Sequence, residues 1–135
     1  MNKNAGLWID HRQAVIVVRT GDQEQIRHVE SHMPKRVRYS GVSEARGKGI
    51  IYNDTSEDGR DRRFHDQANR YYDEVIAAVR DAEWILILGP GEAKIELQKR
   101  METHGLSEHI AAVKPADKLT EPQIAAEVRH FFEHA

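Results

Sequence analysis

The chain has 135 residues, 39% of them apolar and 31% charged, with a net charge of -2, a mix that suits one water-soluble domain around one core and excludes a disordered or low-complexity chain. The absence of cysteine excludes disulfide scaffolds, thiolate metal sites and thiol nucleophiles together. No apolar run has signal-peptide form or bilayer-spanning length, so a cytoplasmic location without a membrane partner is expected.

Gly6 to Asp10 reads as a first strand, and His11-Arg12 as a short turn. Ala14 to Arg19 is β-branched and almost wholly apolar, as a strand buried on both faces requires. Gly21-Asp22 is a hairpin signal, because glycine tolerates the positive φ that two-residue turns demand. Gln25 to Glu30 returns as a polar strand, which suggests a sheet edge. The pattern then breaks, and a long mobile loop is expected over about 32–61. Its first half is basic, with Lys35, Arg36, Arg38, Arg46 and Lys48 against Glu44. Its second half is acidic, with Asp54, Glu57, Asp58 and Asp61.

Regularity resumes with Phe64, Ala68, Tyr71, Tyr72, Val75, Ile76 and Val79 on one helical stripe. Trp84 to Leu88 is a continuous apolar run, the pattern of a buried parallel strand, and Gly89-Pro90-Gly91 ends it. Ala93, Leu97 and Met101 mark a second helix that Gly105 closes. His109 to Lys114 is a shorter last strand. Thr120 and Gln123 form a capping-box pattern ahead of a third helix, whose core face is Ile124, Val128, Phe131 and Phe132. The order is β-β-β-α-β-α-β-α. It predicts an α/β fold of the ribonuclease H-like kind: a mixed five-stranded sheet, three antiparallel strands followed by βα crossovers, in a single domain spanning 1–135.

Few residues suggest chemistry. Asp10, at the end of the first strand, could hold a divalent metal for nuclease work, but two-metal chemistry needs further converging acids and a turn role is simpler. The Gly89-Pro90-Gly91-Glu92 turn resembles a phosphate loop in its glycines. Pro90 removes a donor and Glu92 adds negative charge, so a structural turn is favoured. The histidine pairs His28/His32 and His130/His134 have no evident third ligand, and no metal or other cofactor is expected. Ser40, Ser43 and Thr55 lie in no nucleophile motif. The basic run from Lys35 to Lys48 interleaves Tyr39 with cations and pliable glycines. It is the best functional candidate, because such loops commonly contact phosphate backbones.

The pattern Gly-Leu-Trp-Ile-Asp-His-Arg-Gln-Ala-Val-Ile-Val-Val (residues 6–18), the helix opening Arg62-Arg63-Phe64 and the run Leu88 to Lys94 resemble a known group. They are similar to the central domain of class-I peptide-chain release factors of eukaryotes and archaea, which the ribosome-rescue protein Pelota shares. Stand-alone bacterial members of that group are described as translational machinery proteins. The resemblance covers nearly the whole chain. It implies a ribonuclease H-like sheet, with the turn at Leu88 to Gly91 and Lys94 in their family places. In release factors, the loop before the first long helix carries a Gly-Gly-Gln whose glutamine assists hydrolysis of peptidyl-tRNA. Here that region, Asn53 to Arg63, has no such motif, and codon-reading and partner-binding domains are not expected. The leading expectation is therefore a non-enzymatic domain that binds ribosome or RNA through Lys35, Arg36, Arg38, Arg46 and Lys48. A self-associating, stress-linked scaffold, possible as a homodimer through the polar third strand, and a metal-dependent nuclease centred on Asp10 stay open as alternatives.

Overall fold

The computed structural model describes residues 3–32 and 53–133, with side chains from residue 65 onward in the second segment. The strands are β1 (Lys3–Ile9), β2 (Gln13–Thr20), β3 (Gln23–Glu30), β4 (Trp84–Gly89) and β5 (Ile110–Pro115). The helices are α1 (Asn53–Val79), α2 (Ala93–Thr103) and α3 (Glu121–Glu133), with a short 3-10 turn at Ser107–His109. The sheet runs β3-β2-β1-β4-β5. β1 pairs antiparallel with β2, and β2 with β3; β1 and β4 are parallel, as are β4 and β5. The expected α/β architecture with a mixed five-stranded sheet is therefore present, in the expected element order. Among the described residues no helix is long and apolar enough to cross a membrane.

Strand periodicity divides the core between the two faces of the sheet. Leu7, Ile9, Ile16, Ile85 and Ile87 meet Val75, Ile76, Leu97 and Met101 of α1 and α2 on one face. Trp8, Val15, Val17, Leu86 and Leu88 meet Ile124 and Val128 of α3 on the other. β1, β2 and β4 are thus buried on both sides, which explains their unbroken apolar runs. α3 lies so close to β1 that a Cβ on Gly6 would fall 2.4 Å from Val128 Cγ2. Every residue of β3 except Val29 is exposed, as its polarity predicted for an edge.

Local signals at the helix ends are obeyed. Gly105 adopts φ +77° after α2, with Leu106 N–H bonded to Met101 O and Gly105 N–H to Glu102 O, the pattern of a glycine-closed helix end. Thr120 N–H donates to Gln123 Oε1 at 2.9 Å, and Gln123 N–H returns to Thr120 Oγ1 at 3.3 Å.

One boundary is corrected. The loop expected over 32–61 ends earlier, because α1 begins at Asn53. Acids at Asp54, Glu57 and Asp58 suit the positive end of a helix dipole as well as they suit a loop. At 27 residues α1 is about 40 Å long. Asn53 to Arg63 has no apolar side chain, so there is no apolar stripe for sequence periodicity to detect. The mobility expected for the rest of that loop concerns residues 33–52, which lie outside the described set.

α1 and α2 are also joined by charge. Asp73 accepts from Arg100 Nε at 2.8 Å and Arg100 Nη2 at 2.9 Å, and His104 Nε2 lies 3.0 Å away. The Arg100 hydrogen bonds hold the Asp73 carboxyl below the usual carboxylate range, with His104 adding to the effect. The sign follows from linkage: a depressed folded pKa gives stability that is present above the unfolded value and lost as pH falls through the folded one. Asp73→Asn is therefore expected to flatten the fall in thermal midpoint below about pH 4. The pair is partly exposed, so the effect is modest. Melting curves of both chains from pH 7 to pH 2 check it, and parallel acid limbs would refute it.

Candidate nucleic-acid interface

The ends of β1 and β3, the start of β2 and the segment before α3 surround an open cleft of about 340 Å³, lined by Asp10, Arg12, Gln13, Glu30, Ser31, His32 and Lys118. Each lining residue has a local reason to be there. Asp10 Oδ1 accepts from Arg12 N–H at 2.8 Å and Gln13 N–H at 2.9 Å, an Asx turn that closes β1 onto β2. Its own carbonyl accepts from Tyr71 Oη at 2.9 Å. Arg12 is left exposed at the tip of that turn. Lys118 arrives by another route. Trp8 Nε1 donates to Asp117 O at 3.0 Å and to Ala116 O at 3.3 Å, and Lys118 Nζ stands 5.8 Å from the Trp8 ring centroid. His32 closes the described part of the rim with φ +54°, and its carbonyl accepts from Gln67 Nε2.

The cleft mixes two cations and a histidine with two acids. One of those acids, Asp10, has an oxygen committed to turn amides, so Arg12 and Lys118 are the groups best placed to meet an anion. Asp10 therefore takes the turn role that the sequence allowed for. Among the described residues, no three His, Cys, Asp or Glu side chains converge as a metal-binding group. Of the histidines, His28 contacts Glu121 of α3, His32 lines the cleft, and His134 lies outside the described residues.

Beside the cleft, three elements are pinned together. Tyr72 Oη donates to Glu96 Oε1 at 2.5 Å, and His11 Nε2 lies 3.1 Å from the same oxygen. Burial first, then the Glu96 hydrogen bond, pushes the Tyr72 phenol above its ordinary range. Tyr71 is raised by burial and by the Asp10 charge. Both stay protonated and act as hydrogen-bond donors. The glycine turn after β4 is structural. Gly91 has φ +63°, and the Lys94 ammonium folds back onto Gly91 O at 2.6 Å instead of presenting itself to a ligand.

The sequence-predicted phosphate contacts, Lys35, Arg36, Arg38, Arg46 and Lys48, lie outside the described residues. Sequence reading missed that Arg12 and Lys118 line one cleft, and it missed the Tyr72–Glu96–His11 junction. The residues come from segments that are remote in the chain, and no spacing links them. The exposed Arg12 in a two-residue turn was the one signal that could have pointed there.

The fold, a mixed sheet with two helices on one face and one on the other, has known counterparts. No family model matches the sequence, and no curated protein matches it. Among solved structures, the chain is similar to the Thermoplasma acidophilum Pelota protein, with 18% identity and a TM-score of 0.57, over 95% of this chain and 32% of that one. It is similar to the archaeal translation termination factor aRF1, with 16% identity and a TM-score of 0.54, over 99% of this chain and 35% of that one. Archaeoglobus fulgidus Pelota gives 12% identity and a TM-score of 0.56, over 95% and 31%. The chain thus spans about a third of the length of each. At these identities the likeness is one of fold, and at that level the resemblance to release-factor and Pelota domains holds.

Proposed function

We propose that this chain is a non-catalytic, translation-associated domain that acts in the cytoplasm and binds ribosomal RNA through the cleft rim and the basic segment leaving it. The observation that carries the reading is the fold, shared over 99% of the chain with a translation termination factor. Charge placement supports it. Arg12 and Lys118 line the cleft, and Lys35 follows His32 by three residues. Chain connectivity therefore keeps the Lys35 Cα within about 11 Å of that of His32. Lys35, Arg36, Arg38, Arg46 and Lys48 concentrate positive charge in the segment that follows His32. With a chain charge of -2, such local concentration is what phosphate binding needs. The non-catalytic part rests on the sequence from Asn53 to Arg63, which has no Gly-Gly-Gln.

Sedimentation with ribosomes tests the reading. Co-migration is expected at about 50 mM salt, with affinity falling by roughly two orders of magnitude by about 200 mM if some five phosphates are contacted. Replacing the five loop cations by Ala should abolish most of the salt dependence. Arg12→Glu with Lys118→Glu should weaken binding separately. Absence of salt-sensitive co-migration for the unchanged chain would sink the proposal.

A further inference from the structure

β3 occupies one end of the sheet order, and among the described residues it has a strand neighbour on one side only. It is eight residues long and pairs with β2 without a register shift. Edge strands are usually blunted by a proline, a bulge, an inward charge or lysines. β3 has no proline and no lysine; its charges are Arg27, which lines the groove on the α1 face, and Glu24, His28 and Glu30, of which Glu24 is already paired with Arg129 and Arg19.

Its open hydrogen-bonding groups can be assigned. Ser31 N–H donates to Arg12 O across the β2–β3 ladder. Alternation in an antiparallel pair then turns the odd-numbered residues of β3 toward β2. The N–H and C=O of Glu24, Ile26 and His28 face outward. On the side-chain level, Ile26 is the exposed large apolar residue of the strand, at 41%.

We infer that β3 pairs antiparallel with β3 of a second copy of this chain, about a two-fold axis at Ile26. A two-fold pairing must be centred on a residue, and the side chains discriminate among the choices. Centring on Glu24 or Arg27 sets like charges face to face, which is destabilising. Centring on Gln25 or His28 leaves Ile26 opposite an acid, Glu24 or Glu30. Centring on Ile26 covers each exposed isoleucine with its twin, sets Gln25 opposite Arg27, and places Glu24, already bound to Arg129 and Arg19, opposite His28, already on Glu121, so no like charges face each other there. It also uses the outward backbone groups of Glu24, Ile26 and His28 together. The α1 face has room for this arrangement. An open groove of about 500 Å³ runs between β3 and α1, with Arg27, Val29, Glu74, Ala77 and Ala78 among its walls. Its alanines leave space for the second copy's Gln25 and Arg27, and Glu74 offers the opposite charge to that arginine. The product is a continuous ten-stranded sheet with the nucleic-acid cleft repeated on each copy. It is independent of the RNA reading, which uses other residues.

The chain has no cysteine, so single cysteines report proximity cleanly. In the inferred register the two Ile26 Cα atoms lie about 5.5 Å apart, inside the range a disulfide spans. Ile26→Cys is expected to form covalent dimers under mild oxidation at least tenfold faster than Ile95→Cys, an exposed position on α2, and than Glu24→Cys, which would face His28. Light scattering of the unchanged chain should show twice the single-chain mass at high concentration, and Ile26→Lys should return it to the single-chain value. Equal cross-linking of Ile26→Cys and Ile95→Cys, single-chain mass throughout, or a dimer that survives Ile26→Lys would each overturn the inference. Faster cross-linking at Glu24 than at Ile26 would overturn the register.

Discussion

Gly89→Ala is expected to cost at least about 3 kcal/mol of stability, the upper part of the range for overpacked sites. A Cβ at Gly89 would fall 2.1 Å from the carbonyl oxygen of Ile9. The atom it would strike is backbone, and the two residues lie on neighbouring parallel strands in the middle of the sheet. No side-chain rotamer can relieve the clash, so β1 and β4 must separate where the cleft and the α2 start are anchored. For a chain of this size the thermal midpoint should fall by roughly 10 °C. Gly91→Ala provides the contrast. Gly91 has φ +63°, and a Cβ added there would meet nothing within 4 Å, so its cost is that of a left-handed alanine, about 1–2 kcal/mol. Urea unfolding of the two variants beside the parent gives the comparison. Equal losses at the two positions would mean that the close approach of β1 and β4 is not as described.

Trp8→Ala should be comparably damaging, at about 3–5 kcal/mol. Trp8 is 1% exposed and fills the α3 side of β1 against Val15, Val17, Leu86 and Ile124. Its indole also holds the 116–118 segment through two carbonyls. Trp8→Phe keeps most of the bulk but loses that donor, and about 1–2 kcal/mol is expected. A loss this large is a substantial fraction of the stability of an ordinary domain. The second tryptophan makes the measurement simple. Trp84 is 45% exposed, so Trp84→Phe should cost under about 0.5 kcal/mol and leaves Trp8 as the emitter. Its fluorescence should then be blue-shifted when folded and move red in one step with unfolding. Hydrogen exchange at residues 116–118 should quicken in Trp8→Phe. Unchanged protection there would show that the indole bonds do not hold the segment.

The two variants mark different links between sequence and site. Gly89 could be picked out from the Gly-Pro-Gly punctuation, but its reason could not, because the atom it avoids belongs to Ile9, eighty residues earlier. Trp8 could be picked out as apolar strand content. That its nitrogen carries Lys118 to the cleft depends on the connection between β5 and α3 lying beside β1. Arg12 and Lys118 line one cleft for the same reason. The Tyr72–Glu96–His11 junction joins α1, α2 and the β1–β2 turn, and none of its members carries a motif.

Local chemistry fixed much of the rest from the chain itself. The double-sided burial of Ala14 to Val18 follows from an apolar run with no polar alternation. The α2 end at Gly105 and the α3 start at Thr120 follow from backbone groups that need a left-handed residue or a reciprocal side chain. The polar edge at β3 follows from strand composition. These signals act over a few residues, so they can be read without knowing the partner elements. The order β3-β2-β1-β4-β5 and the cleft at the strand ends arise from contacts between distant segments. Those contacts are settled by which apolar faces bury one another, and only the tertiary structure decides them.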